Sequence, residues 1–164
     1  MRTKKITLFA LFCALALVLG YFENLIFVSS AMPGIKIGIA NIVTMAVFFM
    51  FGGGGALLFG LIRSTLSALM YSGIFSVFYS FTGTILSVLT MLIAKKILKE
   101  KISPIGTSIL GAAAFNIGQL ITASIVLGGI EIFLYLPYLL AVSCVSGLAT
   151  GSAARILLSR ISLK

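Results

Sequence analysis

The chain has no histidine and no aspartate, and its three acidic residues, Glu23, Glu100 and Glu131, are all glutamates. Without histidine there is no imidazole for acid–base catalysis, and most zinc sites lose a ligand. Without aspartate, the carboxylate clusters that hold a magnesium–diphosphate complex during prenyl chain elongation cannot be built from this chain alone. A phosphate-binding loop is missing too: Gly52-Gly53-Gly54-Gly55 is followed by no Lys-Ser/Thr pair and ends no strand, which excludes ATP hydrolysis. No metal and no cofactor are expected, and the chain is not expected to be an enzyme; energy or catalysis would come from partner subunits. The two cysteines, Cys13 and Cys144, both lie in apolar runs and read as packing residues rather than a disulfide.

Charge is also scarce. Only 9% of residues are charged against 60% hydrophobic, and the mean hydropathy is +1.24. A soluble domain could not cover its surface with so little charge, so the composition is that of an integral membrane protein. The 164 residues provide for roughly six helices of ~20 residues each, hence one transmembrane domain over 1–164. Long apolar runs, rather than short alternating segments, exclude a β-barrel.

What charge there is sits in three places. Ten of the twelve Lys and Arg residues fall in the clusters Arg2/Lys4/Lys5, Lys95/Lys96/Lys99/Lys101 and Arg155/Arg160/Lys164. Basic ends stay cytoplasmic, so the net charge of +9 reflects membrane topology and attraction to anionic lipid rather than nucleic acid. The apolar runs predict spans near Ile6–Phe22, Ile35–Phe51, Ala56–Met70, Ile74–Leu98, Ile105–Leu127 and Phe133 onward. Gly52–Gly55 is expected to be a tight turn and Glu23–Gly34 an outward loop. Ser103-Pro104 should open the fifth helix and Gly128-Gly129 close it. With the basic clusters inside, six crossings put both chain ends in the cytoplasm.

Against this apolar background a few polar residues stand at membrane depth. Arg63 falls midway along the third span, where an Arg must face a cavity, a partner or a water defect. Lys36 is the one basic residue expected on the outer side, at a helix start where anions are favoured, with interfacial snorkelling the competing use. Asn41 follows it on the same span, and Asn116 and Gln119, three apart, share one face of the fifth helix. Buried amides either join helices or read a ligand. Tyr79 and its aromatic neighbours could stack on a ring or face lipid. Small-residue pairs at four-residue spacing, Ala10/Ala14, Gly34/Gly38 and Gly147/Gly151, allow close helix approach, most simply within the molecule. The picture is a mostly apolar, outward-opening pocket with one or two cations, suited to a small amphiphilic or anionic molecule.

The run Pro33-Gly34-Ile35-Lys36-Ile37-Gly38-Ile39-Ala40-Asn41 through Thr44 resembles the signature of the Gx transporter family, also labelled heptaprenyl diphosphate synthase component I. Gly60-Leu61-Ile62-Arg63, Tyr79-Ser80-Phe81-Thr82-Gly83, Asn116-Ile117-Gly118-Gln119, Leu136-Pro137, Gly147 and Gly151 look like its other landmarks, in order. Phe115 departs from the His usual in the family. The family is similar to the substrate-binding S components of energy-coupling factor transporters, six-helix proteins in the cytoplasmic membrane of prokaryotes. That resemblance implies capture of a small vitamin-like or anionic nutrient from outside by Lys36, Asn41, Arg63, Tyr79, Asn116 and Gln119. It also implies docking of a transmembrane coupling protein on Ala10 and Ala14, with two ABC-type ATPases as further partners, and a gate over the pocket at Glu23–Gly34. The synthase label implies instead a non-catalytic membrane subunit supporting a heptaprenyl diphosphate synthase.

Overall fold

A computed structural model describes residues 2–27, 39–72 and 75–161, and these are almost wholly helical. The helices are α1 (Arg2–Phe27), α2 (Ile39–Ser67), α3 (Phe75–Leu98), α4 (Pro104–Leu127) and α5 (Leu136–Ile161). A π-helical turn, Ala68–Ser72, continues α2, and 3₁₀ turns at Lys99–Lys101 and Ile130–Tyr135 precede α4 and α5. Among the described residues, five helices are long and apolar enough to cross a membrane, as in a multi-pass membrane protein.

The helix ends follow local chemistry. Ser103 caps α4 by accepting a hydrogen bond from the Gly106 N–H, and Pro104 occupies the first turn, where its missing N–H costs nothing. Gly128 closes the helix in the left-handed region at φ 71°, donating its N–H to the Ser124 carbonyl. Both features agree with the sequence reading.

The turn expected at Gly52–Gly55 falls on one residue. The helical pattern runs through the four glycines, and only Gly52 leaves it, at φ 78° and ψ −179°. Glycine alone adopts those angles readily. The single break reverses the chain. Asn41 and Arg63 stand 22 residues apart, roughly 33 Å along a straight helix at 1.5 Å per residue, yet their side chains are hydrogen-bonded. α2 is therefore a hairpin of two helical arms, and Leu92 of α3 packs so tightly on its turn that a Cβ at Gly53 would collide with the Leu92 side chain.

α1 also differs from expectation. It continues past Phe22 to Phe27, so Glu23 lies on a helix and is buried, 2% exposed, rather than on an outward loop. The remainder of the expected gate, from residue 28, lies outside the described residues, as do Gly34 and Gly38.

The apolar core joins α1, both arms of α2 and α3 through Phe12, Ala16, Val43, Phe48, Phe59 and Val88. Phe9 makes edge-to-face contacts with Phe51 and Phe59, at 6.1 and 5.4 Å between centroids. α4 is the spine of the other half. A Cβ at Gly118 would meet the Thr82 carbonyl at 2.7 Å, and one at Gly147 would meet the Ile109 Cα at 2.6 Å, so glycines set both helix crossings. Gly151 repeats this against Ile105 at 2.7 Å. The Gly147/Gly151 pair thus packs within the molecule, whereas Ala10 and Ala14 are exposed.

These contacts also align the helix ends. Phe9 meets Phe51, Gly53 meets Leu92, Gly111 meets Met91 and Gly151 meets Ile105. The start of α1, the end of α3 and the end of α5, which carry the basic clusters, therefore gather at one end of the bundle. Lys95 there rests its Nζ 4.9 Å from the Phe49 ring centroid.

Candidate functional site

The α2 hairpin builds the site by placing Asn41 of the first arm beside Arg63 of the second. Arg63 donates from Nη2 to Asn41 Oδ1 at 3.4 Å. Thr44, three residues beyond Asn41, shares its helix face. Two polar atoms here are enclosed and have no hydrogen-bond partner: Arg63 Nε and Thr44 Oγ1. Glu23 of α1 and Tyr71 of the π-helical turn both act electrostatically on Arg63. The Tyr71 hydroxyl lies over Gly20, where a Cβ would be 2.6 Å away, and it shares a hydrogen bond with Ser67. Glycine at position 20 thus leaves room for the phenol to enter between α1 and α2.

These residues line two adjoining cavities. The first, partly open to the surroundings, lies among Glu23, Asn41, Arg63, Tyr71, Asn116 and Gln119. The second shares Asn41, Arg63, Phe115 and Ser146 with it and continues among Thr44, Thr84, Ser87, Ser108 and Thr150. We call them the outer and inner chambers. The outer one borders Gly20 and Tyr71, at the end of the bundle away from the basic clusters. The inner one reaches Met91 and Gly111, toward those clusters. Arg63 is the hinge between the two. Across both linings Arg63 and Glu23 are the only charged residues among the described ones. Polar groups belonging to five helices thus converge on space that an all-apolar bundle would fill.

Of the residues singled out in the sequence, Asn41, Arg63, Asn116 and Gln119 come together here. Asn116 is partly committed elsewhere: its Nδ2 donates to Ser143 Oγ at 2.7 Å and to the Leu139 carbonyl at 3.2 Å, tying α4 to α5. Tyr79 lines neither chamber. Lys36 lies outside the described residues. Phe115 borders both chambers and packs its ring on Gly83.

Sequence reasoning missed Glu23, Tyr71 and Thr44. Glu23 had a signal: it is the first acid after a long uncharged run, within one helical turn of where the apolar stretch was thought to end. Tyr71 and Thr44 had none, since neither polarity nor spacing separates them from the other hydroxyls of the chain.

No group of three or more His, Cys, Asp or Glu residues that could hold a metal occurs among the described residues. A cation, a carboxylate, three amides and several hydroxyls around a buried space can hold a small polar molecule by hydrogen bonds and charge.

No curated protein and no solved structure matches the chain. Residues 12–157, which include all the described cavity-lining residues, match the family described as heptaprenyl diphosphate synthase component I, and the chain belongs to that family.

Proposed function

We propose that the chain is a non-catalytic membrane component that holds one small molecule in the two-chambered cavity and acts through partner subunits. The carrying observation is Arg63, an arginine at membrane depth that faces a cavity and keeps an enclosed, unpartnered Nε. The family description supports assigning the partner as a heptaprenyl diphosphate synthase, with this chain as a membrane subunit beside a soluble catalytic one. All prenyl transfer would then belong to the partner, because the aspartates that bind the metal–diphosphate are absent here.

One observation favours a second reading, that of an S component of an energy-coupling factor importer. The outer chamber lies at the end of the bundle away from the basic clusters. If both arms of α2 cross the membrane, there are six crossings, the basic ends are cytoplasmic and the outer chamber faces outside. That is the side from which a nutrient arrives and not the side on which a cytosolic diphosphate is made. The exposed Ala10 and Ala14 on α1 then form the docking stripe for a coupling protein.

Gentle affinity purification from native membranes of the source cell, with mass spectrometry of co-purifying proteins, tests the partner assignment. A soluble prenyl synthase subunit supports the first reading. Two ABC-type ATPases with a membrane coupling protein, lost on Ala10→Leu/Ala14→Leu, overturn it in favour of the second.

A further inference from the structure

Three polar residues of the α2 hairpin, Asn41, Thr44 and Arg63, line the inner chamber, and two of them carry polar atoms with no hydrogen-bond partner. Arg63 Nε and Thr44 Oγ1 are enclosed, without a partner, on residues that both line the inner chamber. Asn41 Oδ1 accepts from Arg63 Nη2 and so fixes the plane of the guanidinium. Buried donors without partners are rare in folded proteins, and a cluster of them calls for an unseen acceptor. Arg63 Nε–H and a neighbouring guanidinium N–H form a planar fork, the geometry that receives two oxygens of one carboxylate. Thr44 adds a hydroxyl to the lining of the same chamber, one helical turn from Asn41.

Charge selects among oxyanions. Arg63 is the only cation lining the chambers among the described residues, and Glu23 is already in its field. The hydroxyls around the inner chamber bring hydrogen bonds but no charge. A diphosphate carries two or more negative charges and would leave uncompensated charge at membrane depth, which is expensive. A single carboxylate leaves the least excess, one negative charge beside the Arg63–Glu23 pair, and a molecule that adds an ammonium toward Glu23 in the outer chamber removes that as well; a hydroxyl there adds a hydrogen bond but no charge.

We propose that the Arg63–Thr44 corner is a carboxylate subsite, so that the molecule held in the cavity is a small carboxylic acid, zwitterionic or with a hydroxyl-bearing tail, and not a diphosphate. This rests on the binding-component reading and names the ligand class for it.

The test is the set of small molecules that stays with the protein when the full chain is purified from native membranes, extracted with solvent and identified by mass spectrometry. Wild type is compared with Thr44→Val, which keeps shape and removes only the hydroxyl, and with Arg63→Lys, which keeps the charge and removes the fork. Matching thermal unfolding confirms that all three are folded. The expected result is one carboxylic acid enriched at least about tenfold in wild type over both variants, equivalent to about 1.4 kcal/mol. A phosphate- or diphosphate-bearing compound enriched in the same pattern overturns the carboxylate subsite and leaves the binding-component reading standing. No compound differing between wild type and the variants means that water fills the corner, and both fall.

Discussion

The seams that bind α4 to α3 and α5, and the chambers between α2 and α4, use the same kinds of polar residue to opposite ends. In the seams the hydroxyls bond each other or a carbonyl. Thr82 Oγ1 pairs with the Gly118 carbonyl and with Thr122 Oγ1, Ser108 with Thr150 at 2.7 Å, and Asn116 with Ser143; Ser108, Thr150 and Asn116 also border the chambers, but with bonds closed on the protein. Glycines bring the backbones close enough for this. In the lining of the inner chamber Arg63 Nε and Thr44 Oγ1 are enclosed and lack any partner. A polar residue in an apolar bundle is thus glue when its bonds close on the protein, and marks a candidate site when they stay unmade beside a cavity.

The comparison breaks most visibly at the seam glycines. Gly147→Leu would drive a side chain into Ile109, whose Cα is 2.6 Å from the position of the new Cβ. Thermal unfolding in detergent should show a loss of about 1–3 kcal/mol or more, from overpacking that the backbone cannot relieve. Gly52→Ala should cost about 1–3 kcal/mol, because alanine is strained at φ 78° and ψ −179°. Its effect should include loosened contact between Asn41 and Arg63, read as loss of ligand retention together with stability.

Removing one seam hydrogen bond is milder. Ser108→Ala or Thr150→Val should each cost about 0.6 kcal/mol, the average found for interhelical bonds in membranes, and the double change should be less than additive because the two share one bond. The smallest stability effect belongs to the lining of the inner chamber. Thr44→Val removes a hydroxyl that makes no bond within the protein, so ligand-free stability should stay within about 0.5 kcal/mol or rise. A large loss there would make Thr44 another seam residue and erase the distinction.

Much of this was legible before the structure. Ser103-Pro104 and Gly128 announced the limits of α4 through the chemistry of caps, and the basic clusters marked the helix ends that gather together. Arg63 was conspicuous as a lone charge inside an apolar run, and the three-residue spacing of Asn116 and Gln119 put both on one face. The rest depended on tertiary geometry. The run of four glycines marks the turn, but not that a single residue at unusual angles reverses the chain while its neighbours stay helical. Glu23 looked like the end of a span because charge normally marks the interface; buried on a longer α1, it sits instead in the field of Arg63. Tyr79 belonged to a motif of the resemblance, yet the turn of α3 leaves it out of both chambers. Nothing in the sequence distinguishes the closed hydroxyl of Ser108 from the open one of Thr44.

The most direct measurement is the number of small molecules retained per chain by wild-type protein and by Arg63→Leu, both purified from native membranes and shown to be folded. The expected result is close to one in wild type and close to none in the variant. Equal retention in the two, or none in either, would contradict a cavity built around Arg63 to hold a ligand.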